Sequence, residues 1–147
     1  MAMLHDAAVR ESLLARMKSL RADTPRHWGS MSIDQMCWHL ADGLEMALGK
    51  RPYGTVKLPP LPKSVIKFAV LNLPWPRGAP TIDTLRATSR HDFEAERSRC
   101  LRLLDEMGRR DLAATWPAHP AFGAVDGTFH SRLQAKHVEH HLRQFGA

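Results

Sequence analysis

The chain has 147 residues, of which 44% are hydrophobic and 24% are charged, as expected of a soluble globular protein that folds as a single domain over residues 1–147. Its net charge of +6 comes from basic residues interleaved with acidic ones. This spread argues against a nucleic-acid partner, which needs one basic face, and fits an anionic small molecule better. No apolar run approaches the roughly 20 residues that span a bilayer, and the N-terminus lacks a signal-peptide pattern, so we expect a cytoplasmic protein with no membrane partner.

Two amphipathic helices are predicted in the first third of the chain. The first covers residues 6–20 and places its leucines and Met17 on one stripe. The second begins at Ser32, where Ser32 and Gln35 have the spacing of a capping box, and it ends at Gly49. His39 lies near the middle of this second helix, on the flank of its apolar face.

Residues 50–80 have a different character, because this stretch holds seven of the ten prolines. A short helix over residues 63–73 is predicted within it, with Pro62 in the first turn. A connection of this length in a small domain is often functional. We therefore expect residues 50–80 to cover a site as a lid.

Two further helices complete the pattern. One is predicted over residues 91–107 with Gly108 ending it, and the last begins after Asp126 or Thr128 and is closed by Gly146. Since no segment alternates with period 2, the sequence predicts an all-α fold. Its architecture would be a four-helix bundle with a long proline-rich crossover between the second and third of the four main helices.

The last helix has histidines along the middle of its apolar face. At about 100° per residue, His130, Gln134, His137 and His141 fall between the apolar edges marked by Phe129 and Val138. His137 and His141 are one turn apart, which is a spacing at which two imidazoles can bind one metal ion. With His39 as a third ligand from a facing helix, they would form a metal site with an open position. The same pattern is also compatible with hydrogen-bonded core histidines.

Several other polar residues are candidates for the pocket or for support of the ligands. His140 is about 60° from His137 around the helix and is expected beside the site rather than in it. His130 is expected at the pocket mouth or as a partly exposed polar residue. Gln134 and Gln144 face inward, and the 119–123 loop offers His119 as a lip of the site or as part of a simple turn.

Four segments together resemble one known family. They are residues 28–39, which end in Met-Cys-Trp-His, and residues 73–81, 119–123 and 137–146, the last of which contains His-His-Leu-Arg-Gln-Phe-Gly. This combination resembles the DinB/YfiT-like superfamily, and the C-terminal segment is typical of one branch within it. The resemblance extends over essentially the whole chain.

The resemblance implies a bundle with a three-histidine site for a divalent metal, often zinc or nickel. The matching positions in this chain are His39, His137 and His141. Some relatives are S-transferases that use a low-molecular-weight thiol such as bacillithiol or mycothiol, one is a mycothiol-dependent maleylpyruvate isomerase, and many dimerise. We therefore expect a metal-dependent transferase or hydrolase that acts on a small molecule, and the resemblance implies a homodimer. The alternative is a metal-binding or small-molecule-binding bundle without turnover.

Overall fold

The computed structural model describes residues 2–79 and 81–147, and among these residues the regular elements are helices, with no strand. The five α-helices are α1 (Ala7–Ser19), α2 (Ile33–Ala47), α3 (Lys63–Asn72), α4 (Phe93–Arg109) and α5 (Gly127–Gln144), and a 3-10 turn covers Asp83–Leu85. The predicted all-α class is confirmed. None of the described helices is both long enough and apolar enough to cross a membrane.

Short polar side chains fix where the long helices begin. Asp6, Asp92 and Asp126 each precede a helix and accept hydrogen bonds from backbone N–H groups of its first turn. Before α2, the backbone N–H of Ser32 donates to Oε1 of Gln35 at 3.0 Å, as the predicted capping box requires. These bonds satisfy donors that have no partner inside the helix.

The glycines behave differently at the helix ends. Gly49 and Gly146 adopt φ values of 76° and 72° directly after α2 and α5, and so end these helices as predicted. The prediction that Gly108 ends its helix is wrong, because α4 continues to Arg109. Gly108 is instead a close-packing position, where a Cβ would lie 2.7 Å from the carbonyl oxygen of Leu4.

The main core lies among α1, α2, α4 and α5. Helix α2 packs against α4 and α5, and α1 packs against the same two helices. Fully or almost fully buried aliphatic side chains from all four fill the space between them, and each contributes about 1.5–3 kcal/mol through burial. They include Leu13, Met17, Leu40, Leu44, Leu104, Met107, Val138 and Leu142.

The chain between α2 and α4 packs against both α2 and α5. Helix α3 packs against α5, and the 3-10 turn packs against α2. The Lys136 ammonium on α5 donates to the backbone carbonyls of Val70 and Leu73, which holds the end of α3 against α5. Pro80, the last residue of the predicted crossover, lies outside the described residues.

Candidate metal centre

Three histidines from two helices meet at one point. His39 comes from α2, and His137 and His141 come from successive turns of α5. Their ligand nitrogens all lie within 4.8 Å of one another. The Nε2 atoms of His39 and His137 are 2.9 Å apart. The structure therefore brings together the three residues that the sequence proposed as a group.

The hydrogen bonds behind two of these rings determine which nitrogen carries the proton. Nδ1 of His39 is 2.8 Å from the carbonyl oxygen of Leu85, which can only accept. Nδ1 of His141 is 2.8 Å from Oε1 of Gln144, whose amide nitrogen donates to the carbonyl of Trp28 at 3.0 Å. Both Nδ1 atoms must therefore donate, and in the neutral rings both Nε2 atoms carry free lone pairs.

His137 has weaker support. Its Nδ1 is 3.5 Å from Oε1 of Gln134, which is the outer limit of a hydrogen bond. Its Nε2 faces the unprotonated Nε2 of His39 at 2.9 Å, and two lone pairs do not approach so closely without a cation between them. A proton on His137 Nε2 or a metal ion bound by both rings satisfies this contact. The donor set therefore fits a metal ion.

Burial keeps the cluster neutral. Desolvation lowers the pKa of His39, and it lowers the pKa of His137 well below its usual value, with the neighbouring histidines adding to the effect. The same desolvation lowers the pKa of His141 to about 3. Neutral imidazole is the form that binds metal, so the rings need not lose a proton at neutral pH before binding.

The cluster opens onto a cavity of about 830 Å³. The indole ring of Trp75 is 5.9 Å from the ring of His137, and Trp28 and Trp75 both pack against His140. Side chains of α3 and of the loops on either side of it form much of the remaining wall. Residues of the 50–80 segment thus line the cavity onto which the histidine cluster opens, and their role as a lid stays a prediction.

The structure separates the other candidate residues into two groups. His119, Gln134 and His140 line the cavity. His130 does not: it is 0% exposed, and its Nε2 bonds to the carbonyl of Pro117 at 2.8 Å. Its ring stacks on the ring of Trp116, which belongs to the loop before α5, with the ring centroids 5.6 Å apart. The expectation of a place at the pocket mouth is corrected for His130.

Two contributors to the cavity were missed in the sequence. The Leu85 carbonyl orients His39, but a backbone group leaves no sequence signal. Tyr53 lines the cavity, and its hydroxyl is buried. Its position between Pro52 and Gly54 is typical of a loop, and this pattern alone does not assign it to a site. The only available signal was that Tyr53 is the one tyrosine in the chain.

Comparison with known proteins agrees with this architecture. The family model of the DinB superfamily matches residues 6–145. The chain belongs to the DinB superfamily. No curated protein and no solved structure gives a significant match. A group of three adjacent histidines in a member of this superfamily fits a metal-binding site.

Proposed function

We propose that this DinB protein binds a divalent metal ion, zinc or nickel, through His39, His137 and His141. The observation that supports this most directly is the pair of fixed tautomers. Leu85 and Gln144 hold two of the three rings so that unprotonated Nε2 atoms face the same point. Imidazole nitrogen suits both metals, and three protein ligands leave a position for another molecule.

The proposed activity is that of a metal-dependent enzyme acting on a small molecule. When bound, a divalent ion lowers the pKa of a thiol or water and so supplies a nucleophile near neutral pH. A low-molecular-weight thiol would give S-transfer, and water would give hydrolysis. The chain itself contributes neutral imidazoles, and Trp28 and Trp75 supply apolar ring surface to the wall of the cavity.

A non-catalytic binding protein is the second candidate. Among the described residues that line the cavity, the charged side chains are Lys57 and Arg86, and both are cationic. A hydrolase commonly places a carboxylate general base near the metal-bound water. A panel of thiol-transfer and ester-hydrolysis assays on metal-loaded protein separates the two candidates, because a binding protein shows no turnover in any of them.

The metal proposal is tested with a matched pair of variants. We expect wild-type protein to retain zinc after gel filtration and His137→Ala to lose it, as measured by elemental analysis. His140→Ala is the control, because His140 lies on the same helix and in the same cavity but outside the group of three. Unchanged zinc in His137→Ala would remove that residue from the site. A chain in which the histidines are only core groups would bind no metal and show no thermal stabilisation by zinc or nickel.

The proposed function includes an arrangement of the helices around the site and an oligomeric state. Helices α1, α2, α4 and α5 form a four-helix bundle, and the proline-rich chain between α2 and α4 is its crossover. Residues 1–147 form a single domain of a cytoplasmic homodimer with no nucleic-acid or membrane partner. Light scattering of the purified protein tests the dimer, since a monomeric mass at micromolar concentration would contradict it.

A further inference from the structure

A buried hydroxyl without a partner lies in the wall of the cavity. Oη of Tyr53 is inaccessible to solvent and has no hydrogen-bond partner among the described residues. The ring packs against an apolar cluster formed by Met46, Ile82 and Leu85. Most buried hydroxyls in proteins are hydrogen-bonded, so the missing partner of Tyr53 is one that a molecule bound in the adjoining cavity would supply on reaching this oxygen.

His119 adds a second donor next to this hydroxyl. The rings of Tyr53 and His119 are 5.1 Å apart, and both residues line the cavity. Nδ1 of His119 accepts a hydrogen bond from the backbone N–H of Ala121 at 3.0 Å. The proton of the neutral ring is therefore on Nε2, which has no acceptor among the described residues. Burial lowers the pKa of His119 to about 4, so the ring is neutral at physiological pH.

Helix residues that pack against the two donors lie about two helical turns from the metal-site histidines on the same helices: Met46 follows His39 on α2, and Phe129, whose ring is 6.4 Å from that of His119, precedes His137 on α5. His39, Gly43 and Met46 share one face of α2, and Met46 belongs to the cluster against which Tyr53 packs. Seven residues of α-helix correspond to about 10 Å. Between these ends Gly43 presents no side chain, and a Cβ there would lie 3.6 Å from Cε1 of His137. The cavity wall therefore contains two polar groups, the histidine cluster and the Tyr53–His119 pair, with Gly43 on the α2 face between His39 and Met46.

The charges around the cavity indicate what the Tyr53–His119 pair binds. Lys57 and Arg86 line the cavity. They directly follow Val56 and Leu85 in the sequence, and these two residues belong to the apolar cluster that includes Tyr53. Cationic side chains and hydrogen-bond donors together favour an anionic oxygen ligand. We propose that Tyr53 Oη and His119 Nε2 form a subsite for the carboxylate of an apolar small molecule. The opposite end of that molecule reaches His39, His137 and His141. Only this part of the inference rests on the proposed function, and the carboxylate subsite does not.

The test compares two probes with the same apolar body, 4-phenylbutanoate and 4-phenylbutan-1-ol. Binding is followed by tryptophan fluorescence, since Trp28 and Trp75 line the cavity. We expect wild-type protein to bind the carboxylate more tightly than the alcohol. Tyr53→Phe should weaken carboxylate binding by about tenfold, the value of one hydrogen bond to a charged group, and leave alcohol binding unchanged. His119→Phe should act in the same direction.

Controls separate this subsite from the metal site. Ser30→Ala removes a hydroxyl from the cavity wall near Trp28 and should leave the preference for the carboxylate unchanged. Because a carboxylate can also bind zinc, the affinities are measured on zinc-loaded and on chelator-treated protein, and Tyr53→Phe should weaken carboxylate binding in both. Loss of zinc in His137→Ala with the carboxylate preference retained shows that the two sites are independent.

Three results would overturn the subsite. The first is wild-type protein that does not prefer the carboxylate. The second is Tyr53→Phe binding both probes with wild-type affinity, and the third is Tyr53→Phe weakening both probes equally, which indicates a structural role. A protein that binds no zinc but keeps a carboxylate preference dependent on Tyr53 would refute the proposed function and leave the subsite in place.

Discussion

The hydrogen bond from His141 to Gln144 gives the sharpest test of how the cluster is organised. Gln144 joins two elements, since its Oε1 accepts from His141 Nδ1 at 2.8 Å and its Nε2 donates to the Trp28 carbonyl at 3.0 Å. Gln144→Ala removes both bonds. The His141 ring is then free to rotate or to place its proton on Nε2, and either change withdraws a ligand lone pair.

The size of the effect follows from these bonds. Loss of a residue that orients a metal ligand typically weakens metal affinity 10- to 100-fold, about 1.4–2.8 kcal/mol. Two lost hydrogen bonds at about 1 kcal/mol each lower the free energy of unfolding of the metal-free protein by about 2 kcal/mol. We expect both losses in Gln144→Ala.

Gln134→Ala is the matched control. Gln134 and Gln144 lie on α5 and are 5% and 4% exposed, so the two truncations remove the same buried atoms. The Gln134 contact to His137 Nδ1 is 3.5 Å long, and we expect Gln134→Ala to change zinc affinity by less than about threefold. Zinc affinity is measured by competition with a chromophoric chelator, and unfolding by urea in excess chelator. Equal weakening by the two variants, or unchanged affinity in Gln144→Ala, would refute the reasoning.

Three further predictions concern stability, measured by urea unfolding of metal-free protein. The unfolded chain protonates His119 near its usual pKa of 6.5 and the folded chain only at about 4, so stability falls as pH drops through this window, and His119 contributes about 3 kcal/mol to that loss beside the other buried histidines. His119→Phe should make the dependence of stability on pH shallower by the contribution of one histidine, and an unchanged slope would contradict the burial effect. Gly108→Ala should destabilise the protein by about 1–3 kcal/mol because the new Cβ would meet backbone atoms. Gly43→Ala should be neutral or stabilising by up to about 1 kcal/mol, because a Cβ there has room. Similar losses of stability in both variants would contradict this difference in packing. Arg99→Met should cost about 3 kcal/mol because it removes the 2.7 Å bond to Asp42, a carboxylate 2% exposed, and adding Asp42→Asn should recover part of the loss.

Local features of the sequence determined where the helices lie and which two of the three proposed ligands share a helix face. Capping residues such as Ser32 and Asp126, and the glycines that follow α2 and α5, specify helix ends through bonds made within a few residues. The spacing of His137 and His141 places them on one face of any helix that contains them. These predictions needed no knowledge of how the helices pack. Gly108 shows the limit of this reasoning, because its role depends on Leu4, about a hundred residues away in the chain.

Tertiary structure decided what each histidine does. His39 and His137 are far apart in sequence, and only the packing of α2 against α5 brings their nitrogens to 2.9 Å. Periodicity placed His130 on the same face as His137, but the loop before α5 covers that part of the helix, so one imidazole is buried under Trp116 while the other lines the cavity. The bond that orients His39 comes from a backbone carbonyl, which every residue has, so only the path of the chain through space could select Leu85 for that role.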